Sequence, residues 1–209
     1  MDEETIPDTT IEGRDGVARI EAFSDGVLAI ILTIMVLELH APEEPGLEAL
    51  WHLWPTFIAY VLSYSYVAIF WVNHHRLFGY AGVVTGGLLW SNIALLFSLS
   101  FVPFAASYLG KQHFSQHATL AYLTVLFGSA MAYRWLQSVI RRTGAQDAAA
   151  RTYHHATMRK GLAAVAVYAL GIPLSFVSPA IGVSLAGLLA MFWILPWGPL
   201  DRLFIGREQ

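Results

Sequence analysis

Long apolar runs alternate with short polar breaks along this chain, and six of them approach or exceed the ~20 residues that an α-helix needs to cross the hydrocarbon of a bilayer. They cover 19–39, 52–74, 81–109, 117–140, 158–178 and 180–198. The pattern predicts an all-α membrane protein with six transmembrane helices per subunit. The third run is long enough to cross at a tilt, and Pro103, which lacks a backbone donor, predicts a bend within it. Gly171 and Pro173 predict another in the fifth, while Ser178-Pro179 makes a very tight connection to the sixth.

The polar breaks give the orientation. With successive loops on alternate sides, every Lys and Arg except Lys111 falls on one face, which the positive-inside rule makes cytoplasmic. Both termini are then cytoplasmic, as an even number of spans requires. The chain divides into an acidic N-terminal segment 1–18, a membrane domain 19–198 and a short tail 199–209, leaving no room for a water-soluble domain. Asp2, Glu3, Glu4 and Asp8 are the reverse of a basic signal-peptide start, so no cleaved signal is expected. The opposite mouth carries Glu38, Glu43, Glu44 and Glu48, either a rim that concentrates cations or simply a solvated loop. Trp51, Trp54, Trp71, Trp90, Trp135, Trp193 and Trp197 sit mostly near span ends, where an amphipathic ring favours headgroup depth.

Composition agrees: 56% of the 209 residues are hydrophobic and 13% charged, about half the charged fraction of soluble domains. Without cysteine the chain has no disulfide, thiolate nucleophile or Cys-based zinc site. There is no phosphate-cradling loop, nucleophile elbow or zinc-protease helix, which argues against an enzyme. The basic stretch 141–160 is explained by topology and faces lipid headgroups, so membrane lipids are expected partners and nucleic acid is not.

Candidate chemistry concentrates at the start of the first span. Arg19-Ile-Glu-Ala-Phe-Ser-Asp25 places three ionisable side chains and a hydroxyl where burial in lipid costs several kcal/mol, so they face protein or water. At 100° per residue Asp25 lies about 140° from Ile30, and Ser24 about 120° the other way, so both point at neighbouring helices. Ile30, Ile34 and Leu37 fall within ~60° of one another as an apolar stripe, which Thr33 flanks. Such stripes also occur in cores and against acyl chains. Here a polar anchor on one side and an apolar ridge on the other fit a helix fixed by its neighbours that presents branched side chains to a symmetry axis.

Arg19-x-x-x-Phe23-Ser24-Asp25, with the run from Gly26 to Glu38 behind it, closely resembles the first-helix signature of the transmembrane protein 175 family of potassium channels in its bacterial six-helix form. Trp71-x-x-His74-His75-Arg76-x-Phe78 at the end of the second span agrees, whereas spans four to six agree only in hydropathy. The resemblance implies a homotetramer around a central pore lined by the first helix, without a pore loop. It places Ile30 at the tightest constriction, Ile34 and Leu37 in the next apolar rings, and Thr33 in a polar layer that influences potassium over sodium. It assigns Arg19, Phe23, Ser24 and Asp25 to a structural network with His74 or His75 and with Asn92. Permeant K+ and other monovalent cations are then the ligands, no cofactor is expected, and the location is a bacterial plasma membrane.

Other features are weaker. His74-His75 and His154-His155 diverge by 100° on a helix and cannot easily share an ion, and His113/His117 lacks a third ligand nearby, so no metal site is expected. Phe78-Gly-Tyr-Ala-Gly82 reads as a turn, because a filter loop would re-enter between two spans. The main rival is a proton-coupled secondary transporter relaying protons through Asp25 and a histidine. Against it, no interrupted segments occupy corresponding halves of the chain.

Overall fold

The computed structural model describes residues 9–43 and 45–194. Asp2, Glu3, Glu4, Asp8, Glu44, Trp197, Arg202, Arg207 and the tail 199–209 therefore lie outside the described residues. Among the described residues there are eight helices and no strand: α1 Thr9–Leu37, α2 Leu47–His52, α3 Trp54–Phe78, α4 Gly86–Ser100, α5 Val102–Lys111, α6 Gln116–Thr143, α7 Ala148–Leu174 and α8 Pro179–Ile194. Three stretches have the length and apolarity of a membrane span: Gly13–Leu37, Trp54–Phe78 and the combined Gly86–Lys111.

The third stretch is interrupted at Phe101, two residues before Pro103, and its two parts are α4 and α5. Proline cannot donate to the carbonyl four residues back and its ring crowds that turn, so the break falls just ahead of it. Elsewhere the helices outrun the hydropathy pattern. α1 starts ten residues before the apolar run, and α7 starts at Ala148 instead of 158. Hydropathy locates where a helix meets lipid, and side-chain caps locate where it begins. The Asp147 carboxylate accepts from the Ala150 N–H at 2.7 Å and Thr85 Oγ1 accepts from the Leu88 N–H at 3.1 Å, each satisfying a donor that has no partner within the helix. The α6–α7 connection lies against the α3–α4 turn through Ala145 N–H donating to the Tyr80 carbonyl at 3.0 Å. A Cβ at Gly144 would overlap that carbonyl, so only glycine fits. After Phe78 ends α3, the chain turns at Gly79–Tyr80, with the Ala81 N–H donating to the Phe78 carbonyl at 2.9 Å.

Two apolar cores share α3 and α6. One joins α1, α3, α4 and α6 through Leu28, Ile31, Met35, Leu77, Leu95 and Leu136. The other joins α3, α5, α6, α7 and α8 through Tyr66, Leu109, Tyr122, Leu126, Tyr168 and Leu189. Among the described residues α1 packs chiefly against α3, α4 and α5, which leaves one flank exposed.

Candidate functional site

α1 has two opposed faces. Val17, Ser24, Leu28, Ile31 and Met35, at helical spacing, are buried against the bundle. Opposite them, Phe23 is 61% exposed, Ile30 59%, Ile34 42% and Leu37 73%, and Thr33 is exposed between them. The three residues of the sequence-derived stripe and the flanking Thr33 thus point away from the rest of the bundle. The Thr33 hydroxyl donates to the Ile30 carbonyl at 2.8 Å. With its only proton spent within α1, that oxygen turns lone pairs outward.

The buried face carries a directed hydrogen-bond chain across three helices. The His74 Nε2–H of α3 donates to Asn92 Oδ1 of α4 at 2.8 Å, Asn92 Nδ2 donates to Ser24 Oγ of α1 at 2.8 Å, and Ser24 donates to the Ile20 carbonyl at 2.8 Å. Ser24, His74 and Asn92 are almost wholly buried. The Asn92 carbonyl requires a proton on His74 Nε2, which fixes the ring orientation, and the ring stacks on Phe78 at 4.2 Å between centroids. Each bond is worth about 1 kcal/mol net, but leaving one of these groups buried and unpaired costs about 1–3 kcal/mol.

A second set lies beside this chain. Trp71 Nε1–H donates to Asp25 Oδ1 at 2.9 Å, and the His75 ring meets Glu21 Oε1 through Nδ1 at 2.8 Å. Glu21 and Asp25 are one turn apart on α1, as Trp71 and His75 are on α3, so the two contacts form adjacent rungs. The Trp71 and His75 rings stack at 6.3 Å. The two histidines, 100° apart, therefore take different partners on α4 and α1, a distinction the sequence left open.

Arg19 and Phe23 do not reach either set. Among the described residues Arg19 forms no hydrogen bond or ion pair, and Asp25 pairs with Trp71 instead. The reason is helical geometry: Arg19 is ~9 Å and about 120° from Asp25, but within ~20° of Ile30, on the uncovered face. Phe23, likewise ~20° from Ile30, shares that face. Glu21, counted among the ionisable groups of the first span, and Trp71, read as a headgroup anchor and as part of the second-span motif, were not assigned to the network, and the signal that would have placed them there is the matching one-turn spacing of Glu21/Asp25 and Trp71/His75. Just beyond the C-terminal end of α1, Lys111 Nζ lies 3.6 Å from Glu38 Oε2. No group of three His, Asp or Glu suited to a metal ion occurs among the described residues.

A helical bundle with three apolar spans, and with polar groups tied between helices instead of exposed to lipid, is an integral membrane protein. Residues 19–103 match the family described as endosomal/lysosomal potassium channel TMEM175. A protein named potassium channel from Chryseobacterium sp. (strain P1-3) is 42% identical over 85% of this chain and 92% of its own length. Another so named, from Streptomyces collinus, is 34% identical over 84% and 90%. The crystal structure of a lysosomal potassium-selective channel TMEM175 homolog from Chamaesiphon minutus superposes with a TM-score of 0.79 at 28% identity, covering 87% of this chain and 97% of that one. The chain belongs to the TMEM175 family, and with its bacterial relatives it is an integral protein of the plasma membrane.

Proposed function

We propose that this chain forms a potassium-permeable cation channel, a homotetramer of six-span subunits with both termini cytoplasmic and α1 lining a central pore. The observation that carries the reading is the uncovered face of α1, where Ile30, Thr33, Ile34 and Leu37 point away from the subunit while the opposite face is buried. Fourfold repetition of that face makes successive apolar rings at Ile30, Ile34 and Leu37. Such rings close a pore by expelling water, and a small rotation or widening of α1 rewets them. The Thr33 layer offers oxygen lone pairs to a cation, because its proton is engaged by Ile30. Arg19 caps the cytoplasmic end of the same face, ~16 Å from Ile30. The hydrogen-bonded set on the other face holds α1 at a defined angle.

The names of the bacterial relatives favour a channel over a proton-coupled carrier. So does the pairing of the candidate relay groups, since Asp25 bonds Trp71 and His74 bonds Asn92 instead of one another. The test is single-channel recording in planar bilayers with unequal potassium and sodium. Unitary steps reversing toward the potassium potential are expected, and Ile30→Asn should raise basal current by wetting the ring. Saturable, proton-dependent flux without steps, or an Ile30→Asn protein that conducts no better than wild type, would overturn the reading.

A further inference from the structure

α2 has no buried residue, and among the described residues it packs chiefly against α3. The two helices meet at Leu53, because Pro55 has no N–H to donate to the Trp51 carbonyl. The Leu53 N–H turns to the Leu50 carbonyl at 3.2 Å and the Phe57 N–H to that of Leu53 at 3.0 Å, so the helical register nearly carries across the joint. Alone, α2 is too short to show a face; with α3 it shows one. Leu47, Leu50, Trp51 and Trp54 follow one another at i, i+3, i+4 and i+7, and Phe57, Ile58 and Val61 continue the stripe along the membrane-spanning length of α3. All of them are exposed, Leu47 at 85% and Trp51 at 74%. Glu48 and His52, also exposed, lie about 60–100° to the other side.

The stripe extends past the apolar part of the bundle. A Cβ on Gly110 would overlap the Thr56 backbone, so Thr56 stands level with the residue before Lys111, and Lys111 pairs with Glu38 just past α1. Charged groups at that level mark the edge of the hydrocarbon. Trp51 is five residues further out, ~7.5 Å at helical rise, comparable to the depth of one headgroup layer. We propose that α2 is an amphipathic anchor seated in the headgroup layer of the leaflet at this end of the bundle. Leu47, Leu50, Trp51 and Trp54 rest against the upper acyl chains, and Glu48 and His52 face water. Continuity with the exposed apolar face of a membrane span selects lipid as the occupant, and an indole suits that depth because its ring is apolar while its N–H meets a headgroup. The assignment depends neither on which side of the membrane this end faces nor on what the protein conducts. Since α2 follows α1 in the chain, the anchor ties the C-terminal end of α1 to the plane of the bilayer.

The sequence contains no cysteine, so single cysteines can be introduced without removing any. Leu47→Cys, Glu48→Cys, Trp51→Cys and His52→Cys, each in the full-length protein reconstituted in phosphatidylcholine vesicles, would carry a nitroxide. Its relaxation by oxygen, which concentrates among acyl chains, is compared with its relaxation by a water-soluble nickel chelate. Oxygen is expected to dominate at positions 47 and 51, and nickel at 48 and 52. Trp51→Phe gives a reading without a label: it should reduce the tryptophan emission quenched by lipids brominated near the carbonyl end of their chains, and leave the iodide-quenched emission unchanged. Nickel dominance at all four positions would put the stripe in water. Immobile labels at positions 47 and 51 that neither reagent reaches would put it against protein, a second copy of this chain included. Either result overturns the proposal, as does a Trp51→Phe change confined to the iodide-quenched emission.

Discussion

Between α1, α3 and α4 the buried side chains of Ser24, Asn92 and His74 each bond to a partner on another helix, whereas between α6 and α7 the equally buried Gln137 and His154 find none among the described residues. Both seams bury amide and imidazole groups, so residue type does not distinguish them. Geometry does. On α1, α3 and α4 one polar atom from each helix converges at bonding distance, and the donors and acceptors alternate. On α6 and α7 the close approach is through small residues: a Cβ on Gly161 would already lie 3.2 Å from Gln137 Oε1. That seam is held by packing and by Arg134 Nη1 donating to the Met158 carbonyl at 2.8 Å. Bonds between helices at the first seam constrain their angle, and the second seam is expected to tolerate replacement of its polar side chains.

The same chemical change should therefore have opposite signs at the two seams. Asn92→Leu removes both bonds and strands Ser24 and His74 in the bundle, an expected loss of about 2–4 kcal/mol. Thermal unfolding of the purified protein should register it as a marked fall in Tm or a failure to assemble, and an unchanged Tm would remove the distinction drawn here. Asp25→Ala comes next. Because Asp25 is half-buried and bonded to Trp71 instead of Arg19, the expected cost is about 1–2 kcal/mol, short of unfolding. Trp71→Phe should cost a similar amount, and the two together less than their sum, a coupling that a double-mutant cycle measures. Additive losses would mean that the contact contributes nothing. Gln137→Met, an apolar replacement of similar shape, should leave stability unchanged or raise it by about 1 kcal/mol, and a loss comparable to Asn92→Leu would show that Gln137 is held as firmly.

The sequence revealed these seams unevenly. The outward stripe of Ile30, Thr33, Ile34 and Leu37 was legible because helical periodicity alone fixes which residues share a face. That Ser24 faces a neighbouring helix followed from its angle on the first span, but its partners His74 and Asn92 came only through the family resemblance, since nothing local in three separate helices says that their polar atoms meet. Arg19 and Phe23 were grouped with that network by the same resemblance, although their angular positions set them beside Ile30. Helix ends were the least legible part. Arg14 and Asp15 do not stop a helix, they only stop it being apolar, and the six-residue α2 between Pro45 and Trp54 is too short for any periodicity. The α6–α7 seam left no mark, because an unbonded Gln137 or His154 looks in sequence like any other polar residue on a helix.

The smallest expected effect sharpens the comparison through pH. His154 lies in α7 before the proposed span 158–178, 3% exposed, against the rings of Tyr80 and Tyr153. Burial, and after it the nearby Arg141, hold its pKa below the ordinary histidine value. In the unfolded chain the imidazole takes up a proton near pH 6.5, while in the folded protein it resists until lower pH. The unfolded state then binds more protons over that interval, so stability declines as pH falls from about 6.5 toward the folded pKa, and is unaffected by this group above it. His154→Phe removes the group from both states while keeping an aromatic ring against Tyr80. Its stability should match or exceed that of wild type at pH 8, and should fall less steeply between pH 6.5 and pH 5, as followed by Tm in matched buffers. Parallel slopes for the two proteins would mean that His154 gains a partner for its proton, and the α6–α7 seam would then be closed in the same sense as the one beside α1.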